Sequence, residues 1–400
     1  MAGHIDGLNT DGLNTDALKT DETHAPDLRS WEPTANRPGC DFPIQNLPYG
    51  VFRTTARPEP RVGVAIGDFI FDLSPIVDAP ALNLVMALPK PVRVALRREV
   101  SRLLAEGSPA VELTPMSEAQ MLLPASIGDF TDFYASRHHA TYVGQLFRPE
   151  QPLLPNYRWV PIAYHGRSSS IVVSGTDVRR PSGQIADAPE GPPRFAPTAR
   201  LDYELEAGAF VAGGSADAWD ALFGVCLLND WSARDIQRWE YQPLGPFLAK
   251  NFATSISPWV VTMEALEPFR APLNEGADPL PYLQMREPGG LSLRLEAWIQ
   301  RANETNPTRM SSQSFLDMYW TFPQMLTHHA SNGCPMRPGD LLGSGTVSGP
   351  GAGQRGCLLE LRQPWLADGD RVILKGWAEA PGAVRIGLGT CEGRITRNGD

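Results

Sequence analysis

The first forty residues carry no apolar periodicity. "MAGHIDGLNTDGLNTDALKTDETHAPD" repeats a five-residue unit, DGLNT, DGLNT, then DALKT. Asp, Gly, Asn and Thr cannot bury enough apolar surface to fold, so residues 1–40 are expected to be a mobile acidic tail. The stretch has neither a basic start nor an apolar segment, so no signal peptide is expected. Patterning begins with "DFPIQNLPYGVF" (41–52). In "RVGVAIGDFIFDLS" (61–74) apolar residues alternate on both sides of Gly67-Asp68, which predicts a hairpin with a type II′ turn. In "PVRVALRREVSRLLAEG" (91–107), Val92, Leu96, Val100, Leu103 and Leu104 recur at helical spacing. Arg93, Arg97, Arg98 and Arg102 fall mostly on the other face, and Gly107 suits the helix end. Residues 41–122 therefore read as a small β domain with one helix.

From residue 123 the texture is strand-sized apolar runs between Gly- and Pro-rich turns. The runs are "SIVVSGTDV" (170–178), "LDYELEAGAFV" (201–211), "ISPWVVTM" (256–263), "LSLRLEAWIQ" (291–300), "GCLLELRQ" (356–363) and "RVILKGWAE" (371–379). With 37 Gly and 38 Pro, the chain reads as mainly β. The βαβ alternation of a doubly wound sheet is missing. Four hundred residues suit two domains, the second spanning 123–400. No apolar run nears the roughly 18–20 residues of a membrane helix, so no membrane partner is expected.

Charge narrows the ligand classes. Forty-five acids against 35 Lys plus Arg leave a net −10, which opposes nucleic-acid binding. Any pocket for an anion must reverse that sign locally. Five cysteines without a CxxC pair fit a reducing compartment better than a disulfide framework, so a cytoplasmic location is expected.

Three stretches carry candidate chemistry. In "LDYELE" (201–206), strand alternation sends Leu201, Tyr203 and Leu205 one way and Asp202, Glu204 and Glu206 the other. Glu204 and Glu206 then lie about 7 Å apart on one face, where they either grip a hard cation or simply face water. In "LLNDWSARDIQRWEY" (227–241) a strand ends at Asp230, and Ser232 is the expected helix N-cap. Arg234, Gln237 and Tyr241 then share a helix face, either as donors to an oxyanion or as surface decoration. In "IGDFTDFYASRHHA" (127–140), neighbouring His138 and His139 point apart on any regular element, so at most one serves as a base. His328-His329 end a helical run and read as structural. His165 in "AYHGRSSS" stays ambiguous. "GAGQRG" (351–356) matches GxGxxG but precedes a strand-like run rather than a helix, which argues against a dinucleotide. GxxxxGK[ST], HExxH and GxSxG are absent, and no Cys/His spacing suits zinc.

Taken together, "DFPIQNLPYGVF", "GDFTDFYASRHHAT", "YHGRSSSIVVSGT", "LDYELE", "NDWSARDIQRWEYQPLGPFLAKNFATSISPWV", "THHASNGCPMRPGDLLGSGTVSG" and "CLLELRQ" resemble the fumarylacetoacetate hydrolase family, and most closely its fumarylacetoacetase branch. The likeness runs from Asp41 to about residue 393. It implies an N-terminal SH3-like barrel at 41–122, a C-terminal mixed β-roll and a homodimer. It implies Ca²⁺ and/or Mg²⁺ held by Asp132, Glu204, Glu206 and Asp230, with a further Mg²⁺ near Lys250 and Thr254. It makes His139 the base and Glu360 the acid that orients it, with His138 peripheral. It places Arg234, Gln237 and Lys250 at the developing oxyanion, and Tyr134, Arg148, Tyr164, Gln237, Tyr241 and Thr346 against a dianionic diketo acid.

The implied reaction is hydrolysis of the carbon–carbon bond of 4-fumarylacetoacetate, the last step of tyrosine and phenylalanine catabolism. Two alternatives stay open at this point. One is a related hydrolase or decarboxylase acting on another β-diketo or 2-oxo acid, such as an acylpyruvate. The other is a metal-binding scaffold without catalysis, which would need neither His139 nor Glu360.

Overall fold

The computed structural model describes residues 20–188, 191–215 and 217–397. The fold is mainly β, with 21% helix and 30% strand. A five-stranded antiparallel sheet forms first, in the order Leu113–Pro115, Phe69–Asp72, Arg61–Ile66, Tyr49–Thr54, Ala119–Leu122. Its central hairpin turns on Gly67 and Asp68 alone. Gly67 has φ +57°, and among the described non-glycine residues only Leu47 and Arg362 take positive φ. A positive φ at the first turn position and not the second is the II′ pattern. A Cβ on Gly67 would overlap Thr34 Oγ1 and lie 2.6 Å from Ala35 N, so the turn is pressed against the preceding chain.

That contact corrects the expected tail. The repeats fall at 1–19, outside the described residues, apart from the closing Thr20. Residues 20–40, expected to be mobile, form two 3-10 turns, Glu22–His24 and Pro33–Asn36. Trp31 Nε1 donates to Leu103 O at 3.0 Å, and His24 Nε2 bonds Glu264 O at 2.9 Å. The same segment explains a second difference. The helix Lys90–Leu104 buries Leu96, Val100 and Leu104 as expected, but also Arg93 and Arg97. Arg97 donates to Thr23 Oγ1, Asn46 O and Gln45 O at 3.0, 2.8 and 2.6 Å, while Arg93 pairs with Glu264 at 3.0 Å. A guanidinium is a planar fork of donors, so it can sit inside when it meets acceptors on every side.

The larger part is built on two sheets. One has the order Ala163–His165, Phe130–Phe133, Leu341–Gly343, Leu205–Val211, Leu222–Asp230, Thr254–Ile256, Ile171–Val173, with Val261–Thr262 also pairing with Leu222–Asp230. The other runs Thr308–Ser314, Leu293–Gln300, Arg371–Ala378, Ile386–Thr396, Val178–Arg179. Leu205, Leu227, Leu295, Leu374, Trp231 and Trp320 fill one core between these elements. Leu222–Asp230 is buried along its whole length, which is why "LFGVCLLND" reads as a continuous apolar run rather than an alternation.

Two local expectations fail, both because of Asp202. "GCLLELRQ" forms a helical turn, Leu358–Leu361, instead of a strand. The Asp202 carboxylate accepts from Leu358 N at 2.8 Å and Leu359 N at 3.1 Å, capping that turn from another part of the chain. Ser232 does not cap a helix. It pairs with Asp202 in a short ladder, and the helix starts later, as Arg234–Glu240.

The division near residue 122 is not a gap in packing. A single apolar cluster joins Ile44, Val51 and Leu96 to Phe210, Phe223, Leu228, Val260 and Leu341. Tyr49 and Val260 exchange backbone hydrogen bonds at 2.9 and 2.8 Å. Among the described residues no helix is long and apolar enough to cross a membrane.

Candidate active site

Three strands and the break before one of them deliver four carboxylates to one point. Asp132 lies on Phe130–Phe133, Glu206 on Leu205–Val211, and Asp230 ends Leu222–Asp230, while Glu204 stands in the short break before Leu205. The alternation in "LDYELE" holds across that break. Leu201, Tyr203 and Leu205 enter the core, and Asp202, Glu204 and Glu206 face the other way, all buried. One oxygen from each of Asp132, Glu204, Glu206 and Asp230 lies within 4.8 Å of the others. The face is thus not a solvated one.

Two cations border the cluster. Lys250 Nζ donates to Asp230 Oδ2 at 2.6 Å and also to Glu204 Oε2. Arg234 pairs with Asp202 at 2.9 Å and with Glu204 at 2.8 Å, and donates to Gln237 Oε1 at 3.1 Å. Thr254 Oγ1 and Tyr164 OH donate to Asp230 at 3.1 and 2.7 Å. Burial raises the Glu204 carboxyl, but Lys250 and Arg234 outweigh it and hold the group below its ordinary range. Burial, followed by the neighbouring carboxylates, pushes Asp132 and Glu206 well up. Lys250 loses proton affinity through burial and regains more from Asp230 and Glu204, so it stays an ammonium.

The donor set fits a hard divalent cation. It is all oxygen, and Glu206 Oε1 is buried without any hydrogen-bond partner. Two carboxyls pushed toward protonation by burial, and then by their acidic neighbours, are what a divalent charge relieves. Lys250 fits such a centre poorly as a side-chain ligand, because an ammonium has no lone pair.

Beside the cluster stands an imidazole–carboxylate pair. The helix Arg137–Phe147 is capped by Ser136, whose Oγ accepts from His139 N at 3.2 Å. His139 Nδ1 meets Glu360 Oε2 at 2.8 Å, on the turn that Asp202 caps. Both side chains are buried. Burial raises Glu360, yet His139, Ser348 and Cys357 together hold it below its usual range. Tyr134 sets its ring edge-on to His139 at 5.4 Å between centroids. Its hydroxyl is pushed up by burial and then by Glu204 and Glu360. His138, next door, is half-buried and loses proton affinity through burial. His329 bonds Thr131 at 2.9 Å.

The remaining expected residues lie on, or just past, elements that carry this centre. Arg148 ends the His139 helix, with its Nε buried and unpartnered. Tyr241 follows the Arg234–Glu240 helix. Thr346 lies in the run after Leu341–Gly343, with Oγ1 buried and unpartnered. In that run Gly345 N donates to Glu206 Oε2 at 3.1 Å. A cavity of about 150 Å³ opens beside Tyr164, Asp230, Lys250 and Thr254, walled by Arg167, Pro246 and Phe247. Sequence reasoning missed Asp202, Gly343, Ser348 and Cys357. Their partners lie more than a hundred residues away or across a turn, where no local spacing reveals them.

Comparison with known proteins agrees with this arrangement. Residues 45–124 match the profile of the fumarylacetoacetase N-terminal domain, and residues 129–396 that of the fumarylacetoacetate (FAA) hydrolase C-terminal domain. The Caenorhabditis elegans protein named Fumarylacetoacetase is 46% identical across 89% of this chain and 96% of its own length. The Homo sapiens protein of that name is 44% identical over the same shares, and that of Oryza sativa subsp. japonica is 41% identical over 92% and 97%. Among solved structures, the fumarylacetoacetate hydrolase of Exiguobacterium antarcticum covers 88% of this chain with all of its own, at TM-score 0.53 and 18% identity. The Sphingobium maleylpyruvate hydrolase covers 87%, at TM-score 0.52 and 15% identity. At such identity these two structures speak for the fold alone. The two profiles tile nearly the whole patterned chain and the sequence relatives match about nine-tenths of it, and on that ground this chain belongs to the fumarylacetoacetate hydrolase family.

Proposed function

We propose that this chain hydrolyses 4-fumarylacetoacetate to fumarate and acetoacetate. The observation that supports this reading is one buried centre that combines His139–Glu360, a four-carboxylate cluster and the cations Arg234 and Lys250. The relatives named Fumarylacetoacetase, above 40% identity, point to the same substrate.

The chemistry follows from the donors. With Glu360 ionised, Nδ1 of His139 carries the proton and Nε2 is left as the base. Nε2 takes a proton from water, and the hydroxide attacks the carbonyl carbon next to the fumaryl group. Arg234 Nη2, buried and unpartnered, is free to donate to the resulting alkoxide, joined by Gln237 and Lys250. When bound at Asp132, Glu204, Glu206 and Asp230, Ca²⁺ or Mg²⁺ supplies a Lewis acid for the diketone oxygens and charge for the departing enolate. As the alkoxide collapses, the carbon–carbon electrons pass to the acetoacetate fragment as an enolate. The His139 imidazolium returns its proton to that carbon. Arg148, Tyr134, Tyr164, Tyr241 and Thr346 hold the dianion, and Arg148 with Arg234 and Lys250 gives the acidic protein a locally cationic pocket. Thr254 supports Asp230 and, with Lys250, would border a second cation if one binds.

The finer architecture in this reading is an SH3-like barrel at 41–122 and a β-roll at 123–400, in a cytoplasmic homodimer. Light scattering on the purified protein tests the dimer. The decisive assay follows the absorbance loss of fumarylacetoacetate with and without chelator, beside a panel of acylpyruvates. Chelator-sensitive turnover of fumarylacetoacetate is expected, and faster turnover of an acylpyruvate would replace this reading with the related-hydrolase one.

A further inference from the structure

The glycine-rich stretch "SGPGAGQRGC" (348–357), which resembles a nucleotide loop in spacing only, has a different use. Gly349 N donates to Gln354 O at 2.7 Å and Gln354 N to Gly351 O at 3.1 Å, while Gly351 N donates to Gln354 Oε1 at 2.7 Å. Gly356 N donates to Ser348 Oγ at 3.0 Å, and a Cβ there would lie 2.5 Å from Val347 O. The loop is closed on itself by these bonds, and Gly356 is packed too tightly against Val347 for a side chain. It also grips the helix that carries His139. Ser136 Oγ, that helix's cap, donates to Ser348 O at 3.1 Å. Tyr142 OH donates to Pro350 O at 3.3 Å, and the Arg355 guanidinium stacks on the Tyr142 ring.

Both ends of this loop point at one oxygen. Ser348 Oγ donates to Glu360 Oε2 at 2.9 Å and Cys357 Sγ approaches it at 3.3 Å. With His139 Nδ1 at 2.8 Å, three donors converge on Oε2 while Oε1 has none. A carboxylate attached by one donor can rotate and exchange its oxygens. One held by three donors from different segments cannot do so without breaking two further bonds. We propose that Ser348 and Cys357 are positioning residues, and that the glycine-rich loop is the clamp that fixes Glu360 Oε2, and through it the orientation and tautomer of His139. This rests on the functional reading above. A thiol is a weak donor, so Ser348 carries more of the hold than Cys357.

Kinetics of Ser348→Ala, Cys357→Ala, Cys357→Ser and the Ser348→Ala/Cys357→Ala double variant test the clamp, with urea denaturation alongside. Loss of a hydrogen bond to a charged group corresponds to about 10- to 100-fold. Ser348→Ala is therefore expected to lower kcat about tenfold or more with KM little changed. Cys357→Ala should cost less, and Cys357→Ser should stay near wild type because a hydroxyl replaces the thiol donor. Removing donors leaves Glu360 more basic, so it favours the imidazolium, and the acid limb of kcat/KM moves to higher pH. Tyr134, His138, Tyr203, Arg355 and Glu204 also feel this pair and are untouched in every variant. Histidine ¹⁵N spectra give a readout independent of turnover: His139 should be Nδ1-protonated in wild type and mixed in the double variant. Wild-type kcat and an unmoved acid limb in the double variant overturn the clamp. So does a kcat loss that only tracks lost stability, with the tautomer unchanged. An inactive wild-type protein would instead sink the functional reading, leaving the clamp to be judged by the ¹⁵N spectra.

Discussion

Gly343 offers a way to disturb the carboxylate centre without touching a carboxylate. It ends the strand Leu341–Gly343, directly beside Asp132 in a parallel pair. A Cβ built there would overlap Asp132 Oδ1, and would lie 3.1 Å from Asp132 Cγ and 3.2 Å from Glu206 Oε2. Its φ is not positive, so Gly343→Ala adds no backbone strain. The cost is steric. Asp132 must retreat by roughly 1 Å to restore an ordinary separation of about 3.5 Å. Overpacking of this kind costs about 1–3 kcal/mol. A cation needs Asp132 and Glu206 drawn inward, so most of that cost falls on the loaded state. At 1.4 kcal/mol per factor of ten, Ca²⁺ or Mg²⁺ affinity should fall roughly five- to 150-fold, with chelator-sensitive turnover falling in step. Calorimetric titration of wild type, Gly343→Ala and a Gly276→Ala control, whose added Cβ meets nothing nearer than 3.5 Å, measures this. Gly343→Ala affinity within twofold of wild type would refute the steric argument and, with it, the placement of a cation between these carboxylates.

Three further outcomes follow from the same geometry. His139→Ala should lower kcat by about 10²- to 10⁴-fold while His138→Ala changes it little, and equal losses would undo the choice between the two. Arg97→Ala leaves Gln45 O, Asn46 O and Thr23 Oγ1 without their donor; urea denaturation should show a loss of about 3 kcal/mol, and a loss under 1 kcal/mol would mean that these carbonyls find other partners. Burial raises the Asp21 carboxyl, but His24, Thr23 and Arg98 outweigh it and hold it below its ordinary range. Its contribution is complete above the unfolded value of about 3.9 and is lost as pH falls toward the folded one. The stability gap between wild type and Asp21→Asn should therefore shrink between pH 5 and pH 3, and a constant gap would contradict it.

Local patterns were legible where local forces decide. The Gly67-Asp68 turn, the helix Lys90–Leu104 and the facing of Glu204 and Glu206 follow from periodicity and turn chemistry alone. What periodicity could not supply was the far partner. Arg93 and Arg97 read as solvated until Glu264, Gln45 and Asn46 close over them. "LLEL" reads as strand until Asp202, some 156 residues earlier, caps it as a helical turn. The low-complexity start masked the packed segment that begins at Thr20, because Trp31 and His24 find their acceptors on Leu103 and Glu264. Residue roles came from the family resemblance rather than from spacing, since side chains from five separated segments meet at one centre.

The apolar cluster that joins Ile44 and Leu96 to Phe223 and Leu341 has a genetic consequence. The small sheet shares its interior with the larger part, so it cannot be exchanged between homologues or expressed alone without baring a greasy flank. Lesions in the small sheet, far from any reacting atom, should then lower the amount of active protein in a cell while leaving the turnover of each surviving molecule intact.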